Sequence, residues 1–188
     1  MNKNNISLII SAPSGTGKTS IITRLLSISN LYSFSISTTT RPMRDGEIDG
    51  KNYIFIDVDT FNKMLENSEF VEWANVHGNF YGTQRKEVDR IIEEGKIPIF
   101  DVDIQGAQQL RECLPEGVFI FILPPSMEEL ERRLRMRQTD TDEQIRIRLK
   151  NAIEEMGSKE LFDFILINEN IDEVTEEIDK IVKARLKD

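Results

Sequence analysis

Gly15-Thr16-Gly17-Lys18-Thr19, inside the stretch SAPSGTGKTS at residues 11 to 20, brings two backbone-permissive glycines, an ammonium and a hydroxyl together within one turn of chain. The apolar run Ile6 to Ile10 precedes it and the amphipathic stretch Ile21 to Leu26 follows it. A glycine-rich turn between a strand and a helix aims successive backbone N–H groups and the positive helix end at one point, which suits a polyphosphate. Lys18 then reaches the β and γ oxygens, and Thr19 offers a hydroxyl to Mg²⁺. The usual pattern, G-x-x-x-x-G-K-[ST], is broken at its first position by Ala12. A β-carbon is costly mainly in left-handed geometry, so Ala12 is acceptable if its φ is negative, whereas the cradle itself needs Gly15 and Gly17.

Three further groups of residues belong to the same chemistry. IPIFDVD ends an apolar run with Asp101 and Asp103, on one face of a strand by the two-residue period, where either organises Mg²⁺ or its waters. The plainer alternative is that they cap the helix that begins at Ile104. STTTRPMRDGE carries Arg41 and Arg44 beside three threonines, a pair suited to bidentate capture of a small phosphate, with solvated loop charges as the alternative. ERRLRMRQTDTDEQIRIRLK spreads Arg132, Arg133, Arg135, Arg137, Arg146, Arg148 and Lys150 over two consecutive helices. Arg132 and Lys150 read as solvated face; two facing arginine-studded helices also suit a lid over a triphosphate.

These groups need elements to hold them. ISLII (6 to 10), IPIFDV (97 to 102), VFIFIL (118 to 123) and FILI (164 to 167) are continuously apolar, which predicts parallel strands buried on both faces with helical crossovers. Ser126 with Glu129, and Thr141 with Gln144, predict capping boxes at the starts of the two lid helices. The second of these helices places Ile145, Leu149 and Ile153 on one face and stops at Gly157. A closing helix is predicted from Ile171 to about Leu186. Residues 34 to 83 read instead as an antiparallel insertion, with FVEWANVHGNFYGT as two strands joined at His77-Gly78-Asn79 and a short helix in TFNKMLEN. QRKEVDRIIEEG then leads back to the parallel core.

The bulk properties set the outer limits. With 188 residues, 39% hydrophobic and 30% charged, the chain buries one sizeable core and fits one compact domain. Cys113 is the one cysteine, so no internal disulfide forms, and a small buried hydrophobe is the expected role. The N-terminal stretch lacks the layout of a secretory signal, and no apolar run reaches about 18 residues, so a cytoplasmic protein is expected. A net charge of -9 argues against general affinity for nucleic acid or acidic membranes. His77, the one histidine, is expected at a hairpin tip with no catalytic role.

With these residues in view, the chain resembles guanylate kinases over about residues 6 to 186. SAPSGTGKTS, SISTTTRPMRDGE, DGKNYIFI, EFVEWANVHGNFYGT, DVDIQGAQQL, PPSMEELERRLRMRQTDT and FILINEN occur in that family's order and spacing. SAPSG, with its alanine, is a common form of the loop in bacterial-type members. The resemblance implies the α/β P-loop NTPase fold: a central parallel sheet flanked by helices, an antiparallel GMP-binding insertion and a helical lid. The single domain divides into a core (1–33, 96–125 and 157–188), the insertion (34–95) and the lid (126–156). The implied reaction is ATP + GMP to ADP + GDP, with Mg²⁺, and dGMP is an alternative acceptor.

The same resemblance implies the roles of individual residues. Ala12, Pro13, Ser14, Gly15, Thr16, Gly17, Lys18 and Thr19 hold ATP phosphates, while Arg137 and Asn168 contact adenine. Glu72 accepts from guanine N1 and N2, a donor pair that adenine lacks on that edge, and Ser37 and Thr83 complete guanine recognition. Arg41, Arg44, Tyr53 and Tyr81 hold the GMP phosphate. Asp103 lies beside GMP, and Asp101, with Thr19, at the metal. Lys18, Arg44, Asp101, Arg133, Arg137 and Arg148 serve the transfer itself. Gln138 stands at a lid turn where some relatives have Gly or Asn. Two competitors remain on the sequence alone. A non-catalytic guanylate-kinase-like binding module predicts a broken loop or a depleted lid, and neither is found. A P-loop enzyme of another kind would lack Glu72 in EFVEWA, and a GTPase would show N-K-x-D where this chain has INEN.

Overall fold

A computed structural model describes residues 6–76, 78–136 and 140–187. Strands β1 (Leu8–Ser11), β2 (Tyr32–Phe34), β7 (Ile97–Asp101), β8 (Val118–Leu123) and β9 (Phe164–Ile167) form one parallel sheet in the order β2-β7-β1-β8-β9. The two-residue period divides β1 between the sheet faces. Leu8 and Ile10 join the cluster built with α1 (Lys18–Ile28) and α7 (Ile171–Arg185), whereas Ile9 joins the cluster built with α3 (Arg85–Glu93) and α4 (Ile104–Cys113). Both faces are thus covered, as continuous apolar strands require.

The second sheet contains β3 (Thr38–Thr39), β4 (Ile54–Phe55), β5 (Phe70–Val76) and β6 (Asn79–Gln84), ordered β4-β3-β6-β5. Helix α2 (Val58–Glu66), capped by Asp57, buries Phe61 against Phe70 and Phe80. The β5–β6 hairpin and the β3–β6 pair are antiparallel, but β3 and β4 run parallel. The long connection over residues 40 to 53 crosses over instead of turning tightly, so both strands point the same way. His77 lies outside the described residues, as do Arg137 and Gln138.

Helices α5 (Met127–Met136) and α6 (Asp142–Met156) close on each other through Leu130, Leu134, Ile145 and Ala152. Thr141 and Gln144 form the complete capping box on α6. At α5 only half of the expected box forms: Ser126 Oγ accepts from Glu129 N–H, but the Glu129 carboxylate is held by Arg132 and Arg133. Ile153 points outward, and Ala152 takes the buried position expected of it. Gly157 ends α6 in right-handed geometry.

Three other sequence expectations change. Phe34 pairs with Ile99, so the core sheet runs one residue into the stretch read as insertion, and β2 is a strand that the reading lacked. β9 is an edge strand beside β8 alone, which leaves Phe164, Ile165 and Ile167 exposed and only Leu166 buried. Cys113 is exposed at the end of α4, its thiol directed at the Val71 and Leu110 carbonyls. Among the described residues, no helix is long and apolar enough to cross a membrane.

Candidate active site

The glycine-rich loop joins β1 to α1 at the carboxyl edge of the parallel sheet, where ligands of open α/β sheets bind. Gly17, at φ 104°, is the N-cap of α1 and offers no side chain to the first-turn N–H groups, which leaves them for a ligand. Gly15 has φ 96°. A β-carbon there would meet Leu134 Cδ2 at 2.8 Å, and one on Gly17 would meet Asn168 Nδ2 at 2.6 Å, so conformation and space both demand glycine. Ala12 is buried and is not left-handed: Ser68 is the one non-glycine of positive φ among the described residues.

Residues 12–15 and 17–20 line a cleft of about 310 Å³ together with Asp103 and Glu155. A second cleft, about 280 Å³, lies beyond it and is walled by Ser37, Tyr53, Glu72, Tyr81, Asp101 and Asp103, among others. Lys18 and Asp103 belong to both walls. Lys18 Nζ stands 2.5 Å from Asp101 Oδ1 and 3.2 Å from the Val102 carbonyl. Asp103 caps α4 by accepting from Gly106 N–H at 2.8 Å, so the capping alternative holds for this residue, and its side chain still lines both clefts. For Asp101 the dominant contact is Lys18.

The floor of the second cleft is built on the β5–β6 hairpin. Glu72 on β5 is buried and accepts from Thr83 Oγ1 on β6 at 2.6 Å. Burial pushes its carboxyl up to about 7 against the pull of the Thr83 bond, and the negative charge of Asp103 adds to the rise. Arg41 is buried, with its guanidinium bidentate on Glu47 at 2.7 and 3.0 Å and 5.4 Å from the Tyr53 ring centroid. The Tyr53 and Tyr81 rings meet edge-on. Arg44 is exposed, and among the described residues its guanidinium makes no hydrogen bond, although, after the Arg41 hydrogen bonds, its charge helps to lower the pKa of Glu47. Glu47 was not singled out in the sequence, although it orients Arg41 and also accepts from Arg44 N–H at 2.7 Å.

The helical pair reaches the loop at several points. Arg148 Nη1 donates to Ser14 Oγ at 2.9 Å, and Nη2 stands 3.2 Å from the Asp140 carboxylate. Arg133 donates to Glu129, to the Thr16 carbonyl at 3.1 Å and to the Asn168 carbonyl at 3.0 Å. Asn168, the residue expected at adenine, is buried beneath the loop, where its Nδ2 donates to the Thr16 carbonyl at 2.6 Å. Arg132 and Lys150 sit on exposed faces near Glu129 and Glu154, as expected of solvated charges. Glu155 is a second residue that the sequence reading missed: it is half-buried, and burial raises its carboxyl pKa against the attraction of Lys18. The signal was available, since Glu155 lies seven residues after Arg148 and therefore on the same helical face.

No cluster of three or more His, Cys, Asp or Glu suited to a metal occurs among the described residues. The hydroxyl of Thr19 at the loop's end and the carboxylate of Asp101 at the end of β7 are hard oxygen donors that would suit a Mg²⁺ ion.

A parallel α/β sheet with a phosphate loop at its edge, and a second cleft separated from that loop only by Lys18 and Asp103, defines a P-loop protein able to face two ligands toward each other. The chain belongs to the guanylate kinase family, whose model matches residues 4–185. It is 47% identical over 189 residues to a guanylate kinase of Sphingopyxis alaskensis, covering 100% of this chain and 86% of that one. A guanylate kinase of Syntrophotalea carbinolica is also 47% identical, over 98% of this chain and 88% of the relative. The crystal structure of guanylate kinase from Anaplasma phagocytophilum superposes with a TM-score of 0.80 at 34% identity, covering 100% of this chain and 89% of that one.

Proposed function

We propose that the protein transfers the γ-phosphoryl group of ATP to GMP, giving ADP and GDP. The observation that carries this reading is the shared wall: a triphosphate in the loop cleft and a monophosphate in the second cleft meet across Lys18 and Asp103. Lys18 leaves Asp101 for the β and γ oxygens when the nucleotide arrives. Glu72, ionised and oriented by Thr83, accepts from guanine N1–H and the N2 amino group, with Ser37 close by in the same cleft. Arg41, held by Glu47, together with Arg44, Tyr53 and Tyr81, holds the acceptor phosphate. dGMP presents the same base and phosphate to these residues.

The acceptor oxygen belongs to a phosphate whose second pKa is about 6, so it is ionised near neutrality and needs no general base. Catalysis is therefore positioning and charge neutralisation, for which a placed arginine supplies roughly 10³ to 10⁵ in rate in related chemistry. Arg148, already at the loop through Ser14, is the lid cation nearest that task; Arg133 and Arg137 complete the set. Bound Mg²⁺, near Thr19 and Asp101, supplies further neutralisation of the phosphate oxygens. Closure of α5–α6 over the loop excludes water. The cytoplasm, where both nucleotides are available, is the proposed location.

Replacing Arg148, which reaches the loop through Ser14 and does not line the second cleft, with Met tests the separation of the two clefts. Phosphoryl transfer should be abolished while calorimetric GMP binding stays close to wild type. An equal loss of both would contradict a divided site.

A further inference from the structure

We infer that Asn168 and Arg133 are positioning residues that clamp the Thr16 carbonyl and so aim the Gly17 N–H into the phosphate cradle. Thr16 is fully buried, and its carbonyl accepts from Asn168 Nδ2 at 2.6 Å and from Arg133 Nη1 at 3.1 Å. A peptide unit is planar, and no cis bond occurs among the described residues, so the Gly17 N–H points away from the Thr16 oxygen. Gly17 lines the loop cleft, whereas buried Thr16 is not among its lining residues. Rotation of this peptide would turn an oxygen toward the phosphates in place of a donor. The two bonds hold it against that rotation.

Each clamping residue is itself fixed. Asn168 N–H donates to the Leu123 carbonyl at 2.8 Å, and the Asn168 carbonyl accepts from Arg133 Nη2 at 3.0 Å. Arg133 is anchored on α5 by Glu129, 2.7 Å from its Nε. Among the described residues the Asn168 side chain makes one hydrogen bond, to the Thr16 carbonyl, and its buried Oδ1 has no partner. Amide orientation follows, because Oδ1 in place of Nδ2 would set two acceptors against each other. The clamp and Gly17 require one another: Nδ2 occupies the space that a β-carbon at Gly17 would need.

The inference rests on the proposed reading only in that the loop holds a triphosphate. Its test is calorimetric binding of ATP, inorganic tripolyphosphate and GMP to the wild type, Asn168→Ala and Asn168→Asp. A clamp acts on the loop whatever the base, so both variants should weaken ATP and tripolyphosphate by the same factor, up to about tenfold for the loss of one of the two donors on this buried carbonyl, with GMP binding unchanged. Loss confined to ATP would assign Asn168 to the base and overturn the inference. Unchanged binding of both triphosphates would overturn it as well. Should Asn168→Ala lose GMP binding through misfolding, isosteric Asn168→Asp decides alone. A wild type that fails to phosphorylate GMP, yet shows these ratios, would sink the kinase reading and leave the clamp standing.

Discussion

In the proposed reading Glu72 recognises guanine, and its environment would make that recognition depend on pH. Its carboxyl, pushed up to about 7 from an ordinary 4.5, binds its proton more tightly in the folded protein than in the unfolded chain. The stability contributed by this group is therefore fully present below about pH 4.5 and is lost as pH rises through about 7. GMP recognition runs the opposite way, because only the carboxylate accepts from both guanine donors. GMP binding should tighten across the same window. Glu72→Gln should remove both components and weaken GMP by about tenfold, since the amide brings a donor to face a donor. Melting temperatures and GMP titrations at a series of pH values read the two trends, and a wild type flat in both would contradict the assignment. At this scale the sequence was most legible where chemistry repeats in short motifs, as at Lys18, Asp101, Asp103 and Glu72. Glu47 and Glu155 escaped notice because a carboxylate in a charged stretch looks like solvated surface until the fold brings Arg41 or Lys18 to it.

Elements were legible in proportion to how local their causes are. The Thr141–Gln144 box is set by residues three apart and forms as read; the Ser126–Glu129 box has the same spacing, yet two arginines on the next turn take its glutamate. Thr141→Ala should lower stability by about 1 kcal/mol, measured by urea denaturation, by exposing the first-turn N–H groups of α6. No change would mean that α6 is held by packing alone. Parallel strands β1, β7 and β8 announce themselves because burial on both faces leaves polar residues only at the ends, Ser11 in β1 and Asp101 in β7. Strand β2 is too short and mixed to do so, and the outward side of β9 depends on its place at the end of the sheet, which no local pattern encodes. The parallel β3–β4 pair likewise follows from the path of the chain over residues 40 to 53, not from the strands themselves.

At the scale of the whole molecule, the two clefts already share Lys18 and Asp103, and the proposed transfer in the absence of water would require both to be covered. The helical pair and the second sheet should draw together when GMP and a non-hydrolysable ATP analogue are both bound, and the radius of gyration from small-angle scattering should fall. Identical curves with and without the nucleotides would argue against closure. The central claim is that these clefts carry a phosphoryl group from ATP to a guanine nucleotide, and steady-state turnover of ATP with GMP, AMP, UMP and dTMP tests it most directly. A preference for GMP of at least about tenfold in kcat/KM, equivalent to about 1.4 kcal/mol in transition-state binding, is the expected result. Equal use of GMP and any of the other three acceptors would contradict it.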